Sequence, residues 1–342
     1  MSKKSITIYD IAKKLNYSTS TISRALRDHH SIGKKTAEKI KAEAEKMGYR
    51  PNTLAAGLRQ NKTKTIGVLI SRINRPFMSS LISGIEDEAK KAGYTVIIIQ
   101  CNDDYETEIK NAKTLYDMRI AGIITSLGMQ TVDYKHFEPF LNQNIPVVFV
   151  DRVPEQFAAY KIIIDNYDSA FRATKHLIDQ GCKRIAHFAG SQIRLIYKDR
   201  RRGYEDALRE AGFEVDEDLI IQFDTLSAKE GKKGAKRLLN LKKAPDGLFS
   251  SNDTAAISAI QYAKKHGVLV PKELAVIGFN DDPIATIIEP SLSSVSNPAS
   301  KMGKLAARSV LDNLEQVAKD GQLNQITILE TKLIIRESSQ KL

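Results

Sequence analysis

The 342-residue sequence predicts an all-α helix-turn-helix headpiece followed by an α/β core of two doubly wound parallel-sheet subdomains. Three observations carry this reading. Residues 7–26 hold two short helical stripes of apolar residues separated by a tight break. Residues 1–64 hold eleven Lys and four Arg against two Asp and three Glu, a net of +10 out of the chain's +11. From Thr65 onward, apolar β-rich runs alternate with amphipathic helical stretches, and the alternation runs through twice.

In the headpiece, Thr7 stands where it can cap a first helix, and Ile8, Ile11, Ala12 and Leu15 then share one face. Asn16 and Tyr17 make the turn. Ser18 can accept a hydrogen bond from a free amide of a second helix, whose inner face is Ile22, Ala25 and Leu26. That leaves Thr19, Ser20, Thr21, Ser23 and Arg24 facing outward. Short polar groups near a helix N-terminus can approach base edges, and a bidentate donor one turn on can reach guanine, so this pattern points to DNA reading. The clustered positive charge supports it independently, since a phosphate backbone rewards such segregation. The candidate DNA contacts in the headpiece are therefore Thr7, Tyr9, Ser18, Thr19, Ser20, Thr21, Ser23 and Arg24.

A third helix is expected from about Lys34 to Met47, with Ala37, Ile40, Ala44 and Met47 as its apolar positions and Gly48 ending it. Tyr49 to Gln60 then offers a Pro-Asn start and one or two helical turns. A helix this short is marginal in water, and Gly57 costs it about 1 kcal/mol relative to Ala, so it should be ordered only when held. Asn61 to Lys64 is a polar link.

The first half of the core should hold strands at 66–70, 95–99, 122–125 and 147–150 with helices at about 77–92 and 105–118. The second should hold strands at 184–188, 219–221, 247–250 and 274–278 with helices at about 200–211, 228–241 and 253–266. Continuous apolar strands between helices imply parallel strands covered on both faces, and two such halves leave a cleft between them. Ligands of such sheets bind beyond the carboxyl ends of the strands. Those ends are polar here: Ser71 to Arg75, Asn102 with Asp103, Thr125 with Ser126, Asp151 with Arg152, Ser191 to Arg194, Asp224, Asn252 with Asp253, and Asn280 with Asp281. Interleaved with Phe77, Tyr197 and Phe223 they would suit a sugar or another small polar molecule. Asn and Asp at strand ends also serve as turn formers and helix caps, which is the plainer alternative.

At 42% hydrophobic and 27% charged residues the composition is that of a water-soluble globular protein. No signal core and no run near eighteen apolar residues is present, which points to a cytoplasmic, nucleoid-associated chain. Cys101 and Cys182 are far apart and should be buried thiols. No G-x-S-x-G, Walker loop, G-x-G-x-x-G or H-E-x-x-H occurs, so neither catalysis nor a cofactor or metal is expected. His29 and His30 sit in a basic loop better placed for phosphate than for a metal. A transport-type sugar-binding protein without regulatory role would fit the core but not the basic headpiece.

Four segments together resemble the lactose-repressor/galactose-repressor (LacI/GalR) family of bacterial transcription regulators: Thr7 to Ala12 with Ser18 to Arg24, Gly48 to Leu58, Lys64 to Val68, and Val270 to Asp281 followed by Pro290 to Val295. The resemblance implies an effector-controlled, homodimeric regulator of a palindromic operator, most simply a repressor, with a core of periplasmic-binding-protein type. It divides the chain into a headpiece at 1–48, a hinge helix and linker at 49–63, and a core at 64–342. The core would hold one subdomain at about 64–163 plus 293–325 and another at about 164–292 plus 326–342. Thr19, Ser20 and Arg24 match base-reading positions, Leu58 matches a hinge leucine that wedges into the minor groove, and Asn52 and Ala55 lie on the same hinge. Arg200 matches an arginine that grips the effector. Asn280 stands where an aspartate is usual, which changes an acceptor into a group that also donates. The candidate effector set is Ser71, Arg75, Phe77, Asn102, Thr125, Asp151, Arg152, Arg194, Arg200, Phe223, Asn252, Asp253 and Asn280.

Overall fold

The computed structural model describes residues 6–49, 63–316 and 325–341. The chain divides into two compact units between Thr63 and Lys64. Among the described residues no helix is long and apolar enough to cross a membrane.

The first unit is formed by α1 (Ile8–Leu15), α2 (Thr19–Ala25) and α3 (Lys34–Lys46). Ile11, Ala12, Ile22, Ala25, Ala37, Ile40 and Ala44 make its core, with Ile8, Leu15, Leu26 and Met47 packed against it. The turn between α1 and α2 closes because Asn16 takes a left-handed backbone at φ 55°, which Asn tolerates. Ser18 caps α2 by accepting the Thr21 amide at 3.1 Å. Thr7 precedes α1 and donates from its backbone N–H and its hydroxyl to the Asp10 carboxylate at 2.8 and 2.7 Å. The expected hinge helix lies, from Arg50 to Lys62, outside the described residues.

The second unit has two lobes. In the first, β1 (Thr65–Ile70), α4 (Pro76–Lys91), β2 (Thr95–Gln100), α5 (Tyr105–Asp117), β3 (Gly122–Thr125), α6 (Glu138–Asn142), β4 (Val147–Val150) and β5 (Tyr160–Ile164) follow in order. The chain then enters the second lobe with α7 (Asn166–Asp179), β6 (Ile185–Ala189), α8 (Leu195–Glu210), β7 (Ile220–Gln222), α9 (Ala228–Leu239), β8 (Gly247–Ser250), α10 (Asp253–Lys265), β9 (Ala275–Asn280) and β10 (Ser293–Ser296). It returns with α11 (Ala299–Gln316) and β11 (Ile326–Leu329), and crosses once more to β12 (Lys332–Ile334).

The sheets run β11-β5-β4-β3-β1-β2 and β12-β10-β9-β8-β6-β7. All neighbours are parallel except β10 and β12. β3, β4, β6 and β8 are buried along their whole length, as strands covered by helices on both faces must be. Helix α11 lies against α4 so closely that a Cβ on Gly303 would stand 2.1 Å from the Leu81 carbonyl oxygen, and one on Gly84 2.2 Å from that of Ser300. Only glycine permits that approach.

Two crossovers and one helix start depart from expectation. The second crossover, expected near 292, falls after Ser296, because Ser293 to Ser296 pair with Ile277 to Asn280 in the second sheet. Three of the four residues of this strand are serines, and the Ser293 and Ser294 hydroxyls are buried on hydrogen bonds to Arg336 and Asp253, so hydropathy alone does not mark it. The third, expected near 325, falls after Leu329, because Ile326 to Leu329 pair with Lys161 to Ile164 at the edge of the first sheet. Helix α8 begins at Leu195 rather than near 200, since Arg194 at its cap offers no side-chain acceptor to announce the start. Cys101 and Cys182 are buried and free.

Candidate functional site

On the first unit, α2 turns Ile22 and Ala25 inward and leaves Ser20 and Arg24 exposed, with Thr19, Thr21 and Ser23 half-buried. The hydroxyls of Ser18, Ser20 and Thr21 are already linked, Ser18 to each of the others at 2.8 Å. Tyr9 projects from α1 with 71% of its surface exposed, and Thr7 is exposed beside it. The helix therefore offers polar hydrogen-bonding edges in a row, with a guanidinium one turn beyond them. Asn52, Ala55 and Leu58 lie outside the described residues.

Between the lobes of the second unit lies a cleft of about 720 Å³ including its open mouth. It gathers Ser71, Arg75, Phe77, Asp151, Arg152, Arg200, Asn252 and Asn280 from the expected set. Arg200 is 3% exposed and fixed in three ways: Nε donates to Asn166 Oδ1 at 2.9 Å, Nη1 donates to the Ser251 carbonyl at 2.8 Å, and the guanidinium lies 3.6 Å from the Phe279 ring centroid. Among the described residues its Nη2 has no partner. Burial lowers its pKa below the ordinary arginine value, with Asp151 opposing the shift.

Asp151 faces it from the end of β4. Burial raises its carboxyl above the usual range, against the pull of Arg152 and Arg200, and among the described residues no donor reaches its oxygens. At the floor, Asp103 accepts from Arg72 Nε and Arg152 Nη1, each at 2.7 Å, and from the Met129 amide at 3.2 Å. Burial works against ionisation there, but the two guanidinium groups hold this carboxyl below its ordinary value. Arg152 Nε is buried with no partner. Asn280 adopts φ 106° at the end of β9, a backbone strain that a non-glycine residue rarely bears and that concentrates at binding sites.

Five expected residues do not line the cleft. Asn102 is exposed, and its backbone alone is engaged, the amide donating to the Ser71 carbonyl at 2.8 Å and the carbonyl accepting from Arg72 at 3.1 Å. Thr125 is buried at the end of β3 with its hydroxyl unpartnered. Phe223 packs edge-on against Phe188 in the second lobe's core. Asp253 is wholly buried as a brace that accepts the Asp282 amide at 2.6 Å and the Ser294 hydroxyl at 2.7 Å. Burial pushes its pKa up to about 8, and that of Asp282 up to about 6. Arg194 donates from Nη2 to the Thr131 carbonyl of the first lobe instead of entering the cleft. Asn252 lines the cleft, yet its amide is spent on the Ala255 N–H and the Leu226 carbonyl, both at 2.9 Å. For Asp253, Arg194 and Asn252, capping and bracing are what the strand-end polarity served.

Other residues complete the walls. Arg72, Asp103, Tyr197 and Asp224 belong to the polar strand ends or the aromatics already noted, while Met78, Met129, Ile196, Thr225, Ser251, Thr254 and Asp282 carry no separate sequence signal. Arg75 Nη2 crosses from one lobe to the other and donates to the Thr225 carbonyl at 3.2 Å. The cleft thus joins four arginines and four aspartates, a balance that suits a neutral polar ligand better than a strong ion. Among the described residues no cluster of His, Cys, Asp and Glu could hold a metal.

Residues 7–52 match the family model described as bacterial regulatory proteins, lacI family, and residues 174–339 match a periplasmic binding protein-like domain. The chain is 32% identical over 341 residues to the HTH-type transcriptional regulator DegA of Bacillus subtilis, covering 98% of each protein. It is 30% identical to catabolite control protein A of Priestia megaterium, over 94% of this chain and 96% of that one. Among solved structures, the lac repressor dimer bound to operator superposes with a TM-score of 0.85 at 23% identity, over 98% of this chain and 99% of that one, a likeness of fold. The CelR transcriptional regulator–cellobiose complex matches with a TM-score of 0.71 at 25% identity, over 97% and 99%. With a DNA-reading headpiece, a two-lobed core and relatives of this identity along nearly its whole length, the chain belongs to the LacI family of bacterial DNA-binding transcriptional regulators.

Proposed function

We propose that this protein is a homodimeric repressor of a palindromic operator whose affinity is set by a small neutral polar effector, a sugar or sugar derivative, bound between the lobes. The observation that carries the effector reading is the pair of unused groups facing the cleft from opposite lobes: the Asp151 carboxylate and Arg200 Nη2. A polyol supplies hydroxyl protons to the first and lone pairs to the second. The neutral balance of arginine and aspartate and the cellobiose bound by the CelR regulator point the same way. An effector that prefers one lobe angle shifts the population toward it and so alters the hinge segments on DNA, with a coupling of about 1 to 3 kcal/mol. Leu58, by its match to the family hinge, is proposed to wedge into the central minor groove. Exposed Ile284 and Ile287 in the second lobe and Ile326 and Ile328 on β11 supply apolar surface for a second copy.

A thermal-shift screen against neutral sugars and sugar phosphates tests the effector, because a ligand of the folded state alone raises its melting temperature. A hit among the neutral sugars supports the reading; stabilisation by the phosphates alone overturns the neutral class. Fluorescence anisotropy on a palindromic duplex, with and without the hit, then measures the control of DNA binding.

A further inference from the structure

Residues 126–131, between β3 and α6, cross toward the second lobe, and all but Gln130 are buried. A buried loop must satisfy its backbone, and the amides of residues 126–130 do so within their own lobe. Ser126 donates to the Leu69 carbonyl, Leu127 to that of Arg152 and Gln130 to that of Asp103. Met129 donates to the Asp103 carboxylate, and Gly128 donates to Glu108 Oε2 at 2.7 Å.

Glu108, on α5, is a wholly buried carboxylate. Besides the Gly128 amide it accepts the Thr131 hydroxyl at 3.0 Å on both oxygens, and it lies 3.1 Å from His136 Nε2. A Cβ on Gly128 would press to 3.2 Å on Glu108 Oε2, so the glycine makes room for this contact. The far side of the loop belongs to the other lobe. Met129 packs in the second lobe's core, and the Thr131 carbonyl accepts from Arg194, the residue that opens helix α8, which also carries Arg200. Arg194 is 6% exposed, and its Nε has no partner, so the link to Thr131, with Tyr134 of the same lobe beside it, holds a guanidinium that burial disfavours.

We infer that Glu108 is a positioning residue for lobe closure: it holds the 126–131 loop in the shape that presents the Thr131 carbonyl to Arg194 across the cleft. Its consequence for an effector rests on the function proposed above; the structural coupling does not. Hydrogen exchange on the full-length protein without any ligand tests it. Loss of a hydrogen bond to a charged group should speed exchange roughly tenfold or more. Glu108→Gln should therefore quicken peptides covering 126–131 and also those covering 191–197 in the other lobe, the latter to the level that Arg194→Ala produces. The double variant should show no further change at 191–197. Acceleration confined to 126–131, or additive effects at 191–197, would overturn the inference. If Glu108→Gln does not fold, Thr131→Val removes the hydroxyl that Glu108 accepts while keeping the carbonyl, and it must quicken both segments. Since no ligand is present, a failed effector screen leaves this result untouched.

Discussion

On the reading helix, Ser20 and Arg24 stand in solvent with only short hydroxyl links among their neighbours, whereas in the cleft Arg200 is almost wholly buried and held by two hydrogen bonds and an aromatic ring. The contrast is the one that the two proposed ligands would require. A DNA duplex brings its own rigid edges and a strong field, so side chains that read it can be ordered on contact. A small polar effector has few atoms to offer, and the site must be organised beforehand for its hydrogen bonds to exceed the cost of binding. Positive charge is used differently as well: clustered in residues 1–64, balanced by aspartate in the cleft.

This comparison can be broken most directly at Arg200. Arg200→Ala should weaken the ligand found by thermal shift by roughly ten- to a hundredfold in calorimetric titration, since hydrogen bonds from a charged group contribute about 1.5 to 3 kcal/mol. It should also lower the melting temperature, because Asn166 and the Ser251 carbonyl lose a buried donor. Arg201→Ala, whose guanidinium pairs with Glu205 and Glu217 away from the cleft, is the control. Equal affinities in the two variants would remove Arg200 from the site.

Arg24→Ala should cost roughly 1 to 3 kcal/mol on the operator and relax preference at one position per half-site, without altering the melting temperature. Equal losses on operator and scrambled duplex in anisotropy titrations would reassign it to phosphate contact.

The braces behind the cleft predict a pH dependence. The folded-state carboxyls of Asp253 and Asp282 sit at about 8 and about 6, above an unfolded carboxyl near 3.8, so the folded protein binds more protons than the unfolded chain from about pH 4 up to each of those values. Stability should then be greatest below about pH 4 as far as these groups are concerned, and decline as pH rises through 6 and 8, by up to about 1.4 kcal/mol per pH unit for each. Denaturant melts of wild type and Asp253→Asn across pH 5 to 9 check this, and the variant should flatten the upper part of the decline. The smallest effect is expected at Arg75. Its single bond to the Thr225 carbonyl joins the lobes at the rim, and Arg75→Ala should change ligand affinity by about 0.5 to 1.5 kcal/mol.

Much of this molecule was written locally. The spacing of Ile11, Ala12, Ile22 and Ala25, the turn at Asn16 and the cap at Ser18 depend on neighbours within a few residues, so the headpiece is legible in the sequence. The same holds for β3, β4 and β8, whose continuous apolar runs have no other stable placement than a covered sheet. The polar strand ends pointed to the region between the lobes, and Asp151, Arg152 and Asn280 line the cleft there.

Long-range pairing decided the rest. Nothing near Ser293 states that its strand belongs to the second sheet, and nothing near Ile326 states that its strand joins the first, because each assignment is fixed by a partner far along the chain. Asn280 ends β9 and Asp253 lies three residues past β8, both in polar strand-end segments, yet one faces the cleft and the other braces a buried turn, since only the packed sheet determines which side chain meets protein and which meets the gap. Glu108 shows the limit most clearly: an acidic residue amid a helix reads as solvated charge, and it is buried because a loop twenty residues away closes over it with the donors it needs.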